Sequence, residues 1–484
     1  MKEGSRIQGF KGSSEKSEKS KRRSLNPLDP RTLGPSTPYF PNKVFFISLG
    51  CAKNLVDSEM MLHQLSVAGF LITQEPDQAE VVIINTCSFI EPATRESIET
   101  ILEAARLKKE GICQILVVTG CFPQRYQNQL VKQMPEVNLF LGTESFSGLA
   151  GLLTGLLAGK KTPKMILKPD PGLWTAPYQR LLTTSPGTAY LKISEGCSNR
   201  CAYCTIPSIR GPFRSRDPKV LIQEAQTLAG QGVRELIMIG QDTTSYGTDL
   251  NQGLSLIELI KHLLKIDSFK WLRLLYLRPE RITRKLLNLM AREERICPYL
   301  DIPIQHASDR ILKAMNRPYG QKRLRDLIQK IRQIMPQAAL RTTLMVGFPG
   351  ETEEDFQDLL QFVSEVKFDH LGLFRYSPEE GTTAAGYSDQ VPKEISLQRM
   401  DLLMEIQEKI SLKKNQGRIG SVEPVLVTGL SPESALLIQG RTRFQAPEVD
   451  GVVFITDGEP RVGEIIMVKI TEAHTYDLVG VVQE

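Results

Sequence analysis

Residues 190–204, YLKISEGCSNRCAYC, set three cysteines, Cys197, Cys201 and Cys204, directly behind a short apolar run. Tyr190–Ser194 predicts a strand, and cysteines at i, i+4 and i+7 on the loop that follows can all turn towards one centre. A closed structural zinc site takes four protein ligands, so three thiolates do not complete one unaided. They suit a four-iron cluster whose remaining iron stays open to an exogenous ligand. A zinc site with a distant fourth ligand is the competing reading. Tyr203 lies between the second and third cysteines, where it packs either on the adenine ring of a nucleotide-like cofactor or on the underside of its own loop.

Downstream, the strand-then-helix unit recurs about six times across 188–415. The expected strands are Tyr190–Ser194, Glu235–Gly240, Trp271–Tyr276, Tyr299–Ile304, Leu340–Val346 and His370–Phe374. Alternating strands and helices predict an α/β domain with a parallel sheet. An open six-stranded barrel and an extended doubly wound sheet share this pattern. In either, ligands bind at the C-terminal ends of the strands, which is where the cysteine loop falls. Gly240-Gln241-Asp242 ends the second strand at that mouth and is read as a cofactor-binding segment. Gln305-His306 ends the fourth strand. Val346–Thr352 (VGFPGET) is a glycine-rich turn into a helix capped by Thr352 and Asp355.

Upstream, Lys43–Gly50, Val81–Thr86 and Ile115–Thr119 predict three more parallel strands, with helices between them. Each runs into a cysteine: Cys51, Cys87 and Cys121. Local spacing says nothing, since 36 and 34 residues separate them. Strand ends of a parallel sheet share one edge, however, so the three thiolates can converge there as a second open-sited trio. Three buried structural cysteines are the plainer alternative. Gly50 and Gly120 precede two of the three and permit close approach. Cys113 and Cys297 show no such placement and are read as core or surface thiols.

The flanks differ. Residues 1–41 hold nine Lys/Arg against four acidic residues and few large apolar ones, so a disordered basic tail is expected. Residues 42–160 form the first domain, 161–187 a Pro-, Lys- and Thr-rich linker, and 188–415 the second domain. Residues 416–484 carry short alternating strands, Val422–Val427, Val452–Ile455, Ile465–Ile470 and Leu478–Val482, that predict a small β-barrel. That last segment has five basic and ten acidic residues, a net charge of −5, on a chain whose total is +5. A phosphate backbone would be repelled by it, and a basic protein attracted. A local basic patch at Arg441 and Arg443 is the exception that leaves RNA contact open.

Composition narrows the class. No stretch approaches the roughly 18 apolar residues of a membrane helix, and no apolar leader opens the chain. Eight cysteines in 484 residues are too few for a disulfide scaffold. The reducing cytosol, no membrane contact and a monomer are therefore expected.

The CxxxCxxC spacing, with an aromatic before its last cysteine, resembles the radical S-adenosylmethionine superfamily. The dispersed trio, that motif and a terminal small β-barrel together resemble the methylthiotransferases, from Lys43 to the end of the chain. SLGCAKNLVDSE (Ser48–Glu59), EGCSNRCAYCTIPSIRGPFRSR (Glu195–Arg216), DIPIQHASDRILKAMNR (Asp301–Arg317), VGFPGETEEDF (Val346–Phe356) and LFRYSPEEGT (Leu373–Thr382) are similar to the branch that modifies a ribosomal protein rather than transfer RNA. The resemblance implies an N-terminal methylthiotransferase domain, a central open (β/α)6 partial barrel and a terminal barrel of the TRAM type. It implies two 4Fe-4S clusters. One, on Cys197, Cys201 and Cys204, binds S-adenosylmethionine and on reduction yields a 5′-deoxyadenosyl radical. The other, on Cys51, Cys87 and Cys121, presents sulfur. A second S-adenosylmethionine supplies the methyl group. The implied substrate is an aspartate of small-subunit ribosomal protein twelve, methylthiolated at its β-carbon, and the implied electron source is a carrier such as flavodoxin or ferredoxin. A transfer-RNA methylthiotransferase is the nearest alternative. A non-enzymatic iron–sulfur protein docking on ribosomes is the alternative of a different class.

Overall fold

The computed structural model describes residues 42–111, 113–250 and 253–483; the polar segment 1–41 lies outside them. A six-stranded parallel sheet comes first: β1 (Lys43–Ser48), β2 (Leu71–Thr73), β3 (Val81–Thr86), β4 (Ile115–Gly120), β5 (Leu139–Leu141) and β6 (Met165–Ile166), in the order β2-β1-β3-β4-β5-β6. All six residues of β3 and of β4 are buried, as expected for strands covered on both faces. The three strands read from sequence are the central ones. The other three have two or three residues each, too few for an apolar pattern to register. β6 falls in the segment read as a linker, which is thus partly an edge strand.

The central domain holds all six expected strands. β7 (Thr188–Lys192) is followed by a two-residue antiparallel ladder, β8 (Ser194–Glu195) with β9 (Arg214–Ser215), that closes the base of the cysteine loop. β10 (Glu235–Ile239) and β11 (Trp271–Leu274) complete one parallel sheet ordered β11-β10-β7. A second, ordered β12-β13-β14, comprises β12 (Tyr299–Asp301), β13 (Ala339–Val346) and β14 (His370–Arg375). A bridge between Leu272 and Ile296 and a bond from Leu277 N to Asp301 O (2.8 Å) stitch β11 to β12. The six strands therefore form an arc, open between β7 and β14, which resolves the ambiguity left by the pattern in favour of the partial barrel.

The terminal module is a closed barrel of β15 (Val422–Ser431), β16 (Ser434–Thr442), β17 (Val453–Asp457), β18 (Ile465–Ala473) and β19 (Leu478–Val482), filled by Val425, Val427, Val453, Ile455, Val468, Ile470 and Leu478. β16 was not among the strands expected. Its end carries Arg441 into the N-terminal rim of the central arc, where Arg441 meets Glu235 (2.6 Å) and Arg273 meets the same carboxylate (2.7 Å). Tyr299 donates to Asp450 (2.6 Å), and Arg443 to the Ile296 carbonyl (3.0 Å). The basic patch expected to leave room for RNA is thus an internal docking surface, and Arg441 is buried.

One helix decides how the first two domains meet. Ala52–Val67 buries apolar Leu55, Met61, Leu62 and Leu65, and also Lys53, Asn54, Asp57, Ser58 and Glu59. An amphipathic helix normally turns its polar side to water. Here that side is pressed against the central domain. No helix among the described residues is long and apolar enough to cross a membrane.

Candidate functional site

The first trio gathers at the C-terminal edge of the N-terminal sheet. Cys51 caps the helix 52–67, Cys87 follows β3, and Cys121 opens a short helix, Cys121–Tyr126, behind β4. Gly50 has φ +87°, and a Cβ there would lie 2.6 Å from Cys87 Cβ. Only glycine lets the Cys51 turn close on Cys87. Asn54 ties the turns together, donating to Leu49 O (3.1 Å) and Thr86 O (2.9 Å), with its Oδ1 3.8 Å from Cys121 Sγ. Burial pushes the Cys87 thiol well up, reinforced by the neighbouring Cys121 and Cys51 charges. Burial raises Cys121 too, against the pull of Arg210. Burial also acts on Cys51, but Lys53, Arg210 and two backbone N–H groups outweigh it and lower that thiol. The three thiols sense one another, which the local spacing gave no reason to expect.

The second trio sits at the mouth of the central arc. Cys197 N donates to Gly211 O (3.0 Å) and Ala202 N to Met315 O (3.0 Å), fixing both ends of the loop. Asn199 donates to Cys197 Sγ (3.2 Å), and Arg278 reaches Cys201 Sγ (3.7 Å). Burial, helped by the Cys201 charge, pushes Cys204 up to about 12. Tyr203 packs with Ile311, Met315, Phe348 and Tyr376 beneath its own loop. Gly240 lies against Ser194, and Gln241 donates to Glu195. Asp242 accepts from Ser245 Oγ (2.6 Å), Thr244 (2.7 Å) and Asn199 (3.1 Å), so it braces the cysteine loop. His306 is fully buried. Desolvation drives it down to about 3, and its Nε2 lies 3.9 Å from Glu351.

Between the trios runs a buried ion network that sequence reading missed. Lys192 pairs with Asp57 and with Glu195 (3.0 Å). Arg210 pairs with Asp57 (3.0 Å) and Glu195 (3.2 Å), and its other nitrogen reaches Asn54 and Cys121 Sγ (3.5 Å). Glu195 stands two residues before Cys197, so one carboxylate and one guanidinium link the two cysteine groups. A faint signal was present: Lys192 interrupts an otherwise apolar strand. A second clamp joins the loops. Glu379 accepts from Glu91 N (2.7 Å) and pairs with Arg125 (2.9 Å), while Thr205, next to Cys204, donates to Phe89 O (3.2 Å).

Among the described residues, no three His, Cys, Asp or Glu side chains are gathered in a way that would hold a single metal ion. An iron–sulfur cube is wider than one ion and asks for separate thiolates with N–H donors around them. Arg210 beside Cys121, the Lys53 and Asn54 backbone N–H groups at Cys51, and Asn199 and Arg278 beside the second trio meet that chemistry.

Three family descriptions match the chain in succession: the uncharacterized protein family UPF0004 over residues 43–142, the radical SAM superfamily over 191–363 and the TRAM domain over 419–482. Curated relatives span nearly its whole length. The ribosomal protein uS12 methylthiotransferase RimO of Pelobacter propionicus is 47% identical over 442 residues, covering 91% of this chain and 98% of the relative. Those of Citrifermentans bemidjiense and Geobacter sulfurreducens are 48% and 47% identical, each covering 90% of this chain and 98% of the relative. The chain belongs to the RimO family. Within this RimO-family chain the first cysteine trio falls inside the UPF0004 match and the second inside the radical SAM match. Among solved structures, the radical S-adenosylmethionine methyltransferase TsrM of Kitasatospora setae shares the fold at TM-score 0.51 and 15% identity, covering 80% of this chain and 81% of that one.

Proposed function

We propose that this chain is a radical S-adenosylmethionine enzyme that installs a methylthio group on the β-carbon of an aspartate of ribosomal protein uS12. The observation that carries the reading is the junction of two cysteine trios, supplied by separate domains and linked through Glu195 and Arg210, in a chain so similar to uS12 methylthiotransferases. An unactivated C–H bond is beyond any side-chain base, so the hard step falls to cofactors. With four-iron clusters on Cys197, Cys201 and Cys204 and on Cys51, Cys87 and Cys121, and S-adenosylmethionine bound, the site would gain one-electron hydrogen abstraction, a sulfur source and a methyl donor.

The protein's own task is to position and shield. Asn199 and Asp242 hold the second loop against the mouth of the arc. The Asp57–Lys192–Glu195–Arg210 network excludes water between the loops, and Glu379 with Thr205 fixes their separation. The acidic terminal barrel suits a basic ribosomal protein, and the burial of Arg441 removes the main argument for RNA. We place the enzyme in the cytosol, working as a monomer with a flavodoxin- or ferredoxin-type electron donor. Incubating the anaerobically reconstituted enzyme with S-adenosylmethionine, reductant and either uS12 or transfer RNA tests this. Mass spectrometry is expected to find the methylthio group on uS12, and its appearance on transfer RNA alone would overturn the assignment.

A further inference from the structure

The strand-end edge that carries the first trio runs on past Cys121. β5 and β6 are the next strands of the sheet, and the turns behind them enclose a groove of about 530 Å³ against the helix Leu149–Leu157. Strand ends of a parallel sheet are where such domains meet their ligands. Lys160, Lys161 and Lys168 stand around the groove, all exposed, and none has an ion pair among the described residues. The acidic residue of the lining is Asp170, and Gly172 N donates to its carboxylate (2.8 Å). The floor is open at Gly148 and Gly151, where a Cβ would meet nothing within 4 Å. The groove is therefore basic and accessible, and the chemistry proposed above makes no use of it.

The turn behind β5 reaches both cysteine groups. Thr143 N donates to Gln124 (3.3 Å), three residues past Cys121. Glu144 accepts from Trp174 Nε1 (2.8 Å) and pairs with Arg214 (2.8 Å), whose guanidinium lies 4.6 Å from the centroid of the Trp174 ring. Arg214 in turn pairs with Glu195 in the β8–β9 ladder at the base of the second loop, and Phe213 N donates to Ser198 Oγ (3.1 Å), next to Cys197. Ser145 and Ser147, further along the same turn, line the groove. A partner seated there stands against a turn tied to the segments that carry both trios.

We infer that the groove ringed by Lys160, Lys161 and Lys168 is the docking surface for a small acidic protein that carries one electron. This rests on the proposed function, which creates the need for that electron. Reductive cleavage of S-adenosylmethionine breaks its C5′–S bond, takes up one electron and leaves methionine and the 5′-deoxyadenosyl radical; the carrier is oxidised by one electron. An acidic carrier complements the three lysines in charge, which steers it to the surface and orients it there. Electron-transfer encounters are brief and use small interfaces, so one groove suffices. A nucleic-acid strand asks instead for a basic track along its backbone, and these lysines ring a single hollow.

The test uses anaerobically reconstituted holoenzyme, with a bacterial flavodoxin and a bacterial ferredoxin as probes. The variants are K160E/K161E/K168E and Gly151→Phe, which fills the floor without changing charge. Binding is read by isothermal titration calorimetry. Cleavage of S-adenosylmethionine is followed with either the reduced carrier or dithionite as the source of electrons. The triple variant should bind the carrier roughly tenfold or more weakly, with the difference shrinking as salt rises. G151F should weaken binding too. Carrier-driven cleavage should fall in step, while dithionite-driven cleavage and iron content stay at wild-type levels. Binding of neither carrier by the wild type, or unchanged carrier binding in the triple variant, would overturn the inference. So would an equal fall with dithionite, which would make the lysines structural. Weaker binding of the triple variant to assembled small ribosomal subunits, with carrier binding intact, would overturn it in favour of an RNA contact. Absence of dithionite-driven cleavage in the wild type would instead overturn the radical chemistry, and this inference with it.

Discussion

Gly50 shows how much of the site depends on one absent side chain. Its left-handed backbone and its contact with Cys87 leave no room for a methyl group. G50A should therefore cost on the order of 1–2 kcal/mol from backbone conformation alone. It should also part the Cys51 and Cys87 turns, and iron analysis should show loss of the first site's share while the second site is kept. Glu351 gives a pH signature. Desolvation raises it to about 7, against the pull of Arg399 and of the Phe348 and Gly347 amides. In the unfolded chain it titrates near 4.3. The folded state therefore binds the extra proton between those values, and the stability it adds is complete at low pH and lost as pH rises through 7. E351Q should lack this component. Denaturant unfolding at pH 5 and pH 8 should show wild type losing stability relative to E351Q at the higher pH.

The placement of the cysteines was legible at this scale because the first trio and the loop of the second follow directly on buried strands. The ion network was not, because Lys, Arg, Asp and Glu are common on surfaces and their burial is decided by another domain. Asp242 and Tyr203 were noticed for their place in the sequence, and the structure adds that the first braces the cysteine loop and the second packs beneath it.

At the scale of elements, the long buried strands announced themselves. β3 and β4 each open on four consecutive apolar residues, and each of the six strands of the central arc was found within a few residues. What escaped was short or depended on context. β6 has two residues, and β16 ends in polar groups that are buried only because they meet the central arc. The helix 52–67 was expected only as one of the helices between strands, and nothing in its period says that its polar side faces protein. The clamp at Glu379 belongs to this scale, since it sets one loop against another. E379Q should retain iron at both sites, because it touches neither trio. It should still lower methylthio transfer by roughly 10- to 100-fold through misplacement. Product formation compared with uncoupled cleavage of S-adenosylmethionine measures this, and an unchanged ratio would count against a positioning role.

For the whole molecule, three modules divide the work. The parallel sheet and the open arc each bring a trio of thiols to a strand-end edge, and the terminal barrel plugs the opposite rim of the arc through Arg441, Arg443 and Asp450. The order of modules was legible from cysteine placement and from the change in strand texture near residue 416. Their mutual packing was not, since the residues that secure it are polar and scattered through the sequence. The central claim is that each trio holds its own four-iron cluster. Iron content of anaerobically reconstituted protein, before and after replacing Cys51, Cys87 and Cys121 with Ala together, tests it most directly. Roughly eight irons should fall to roughly four; an unchanged content, or loss of all the iron, would contradict it.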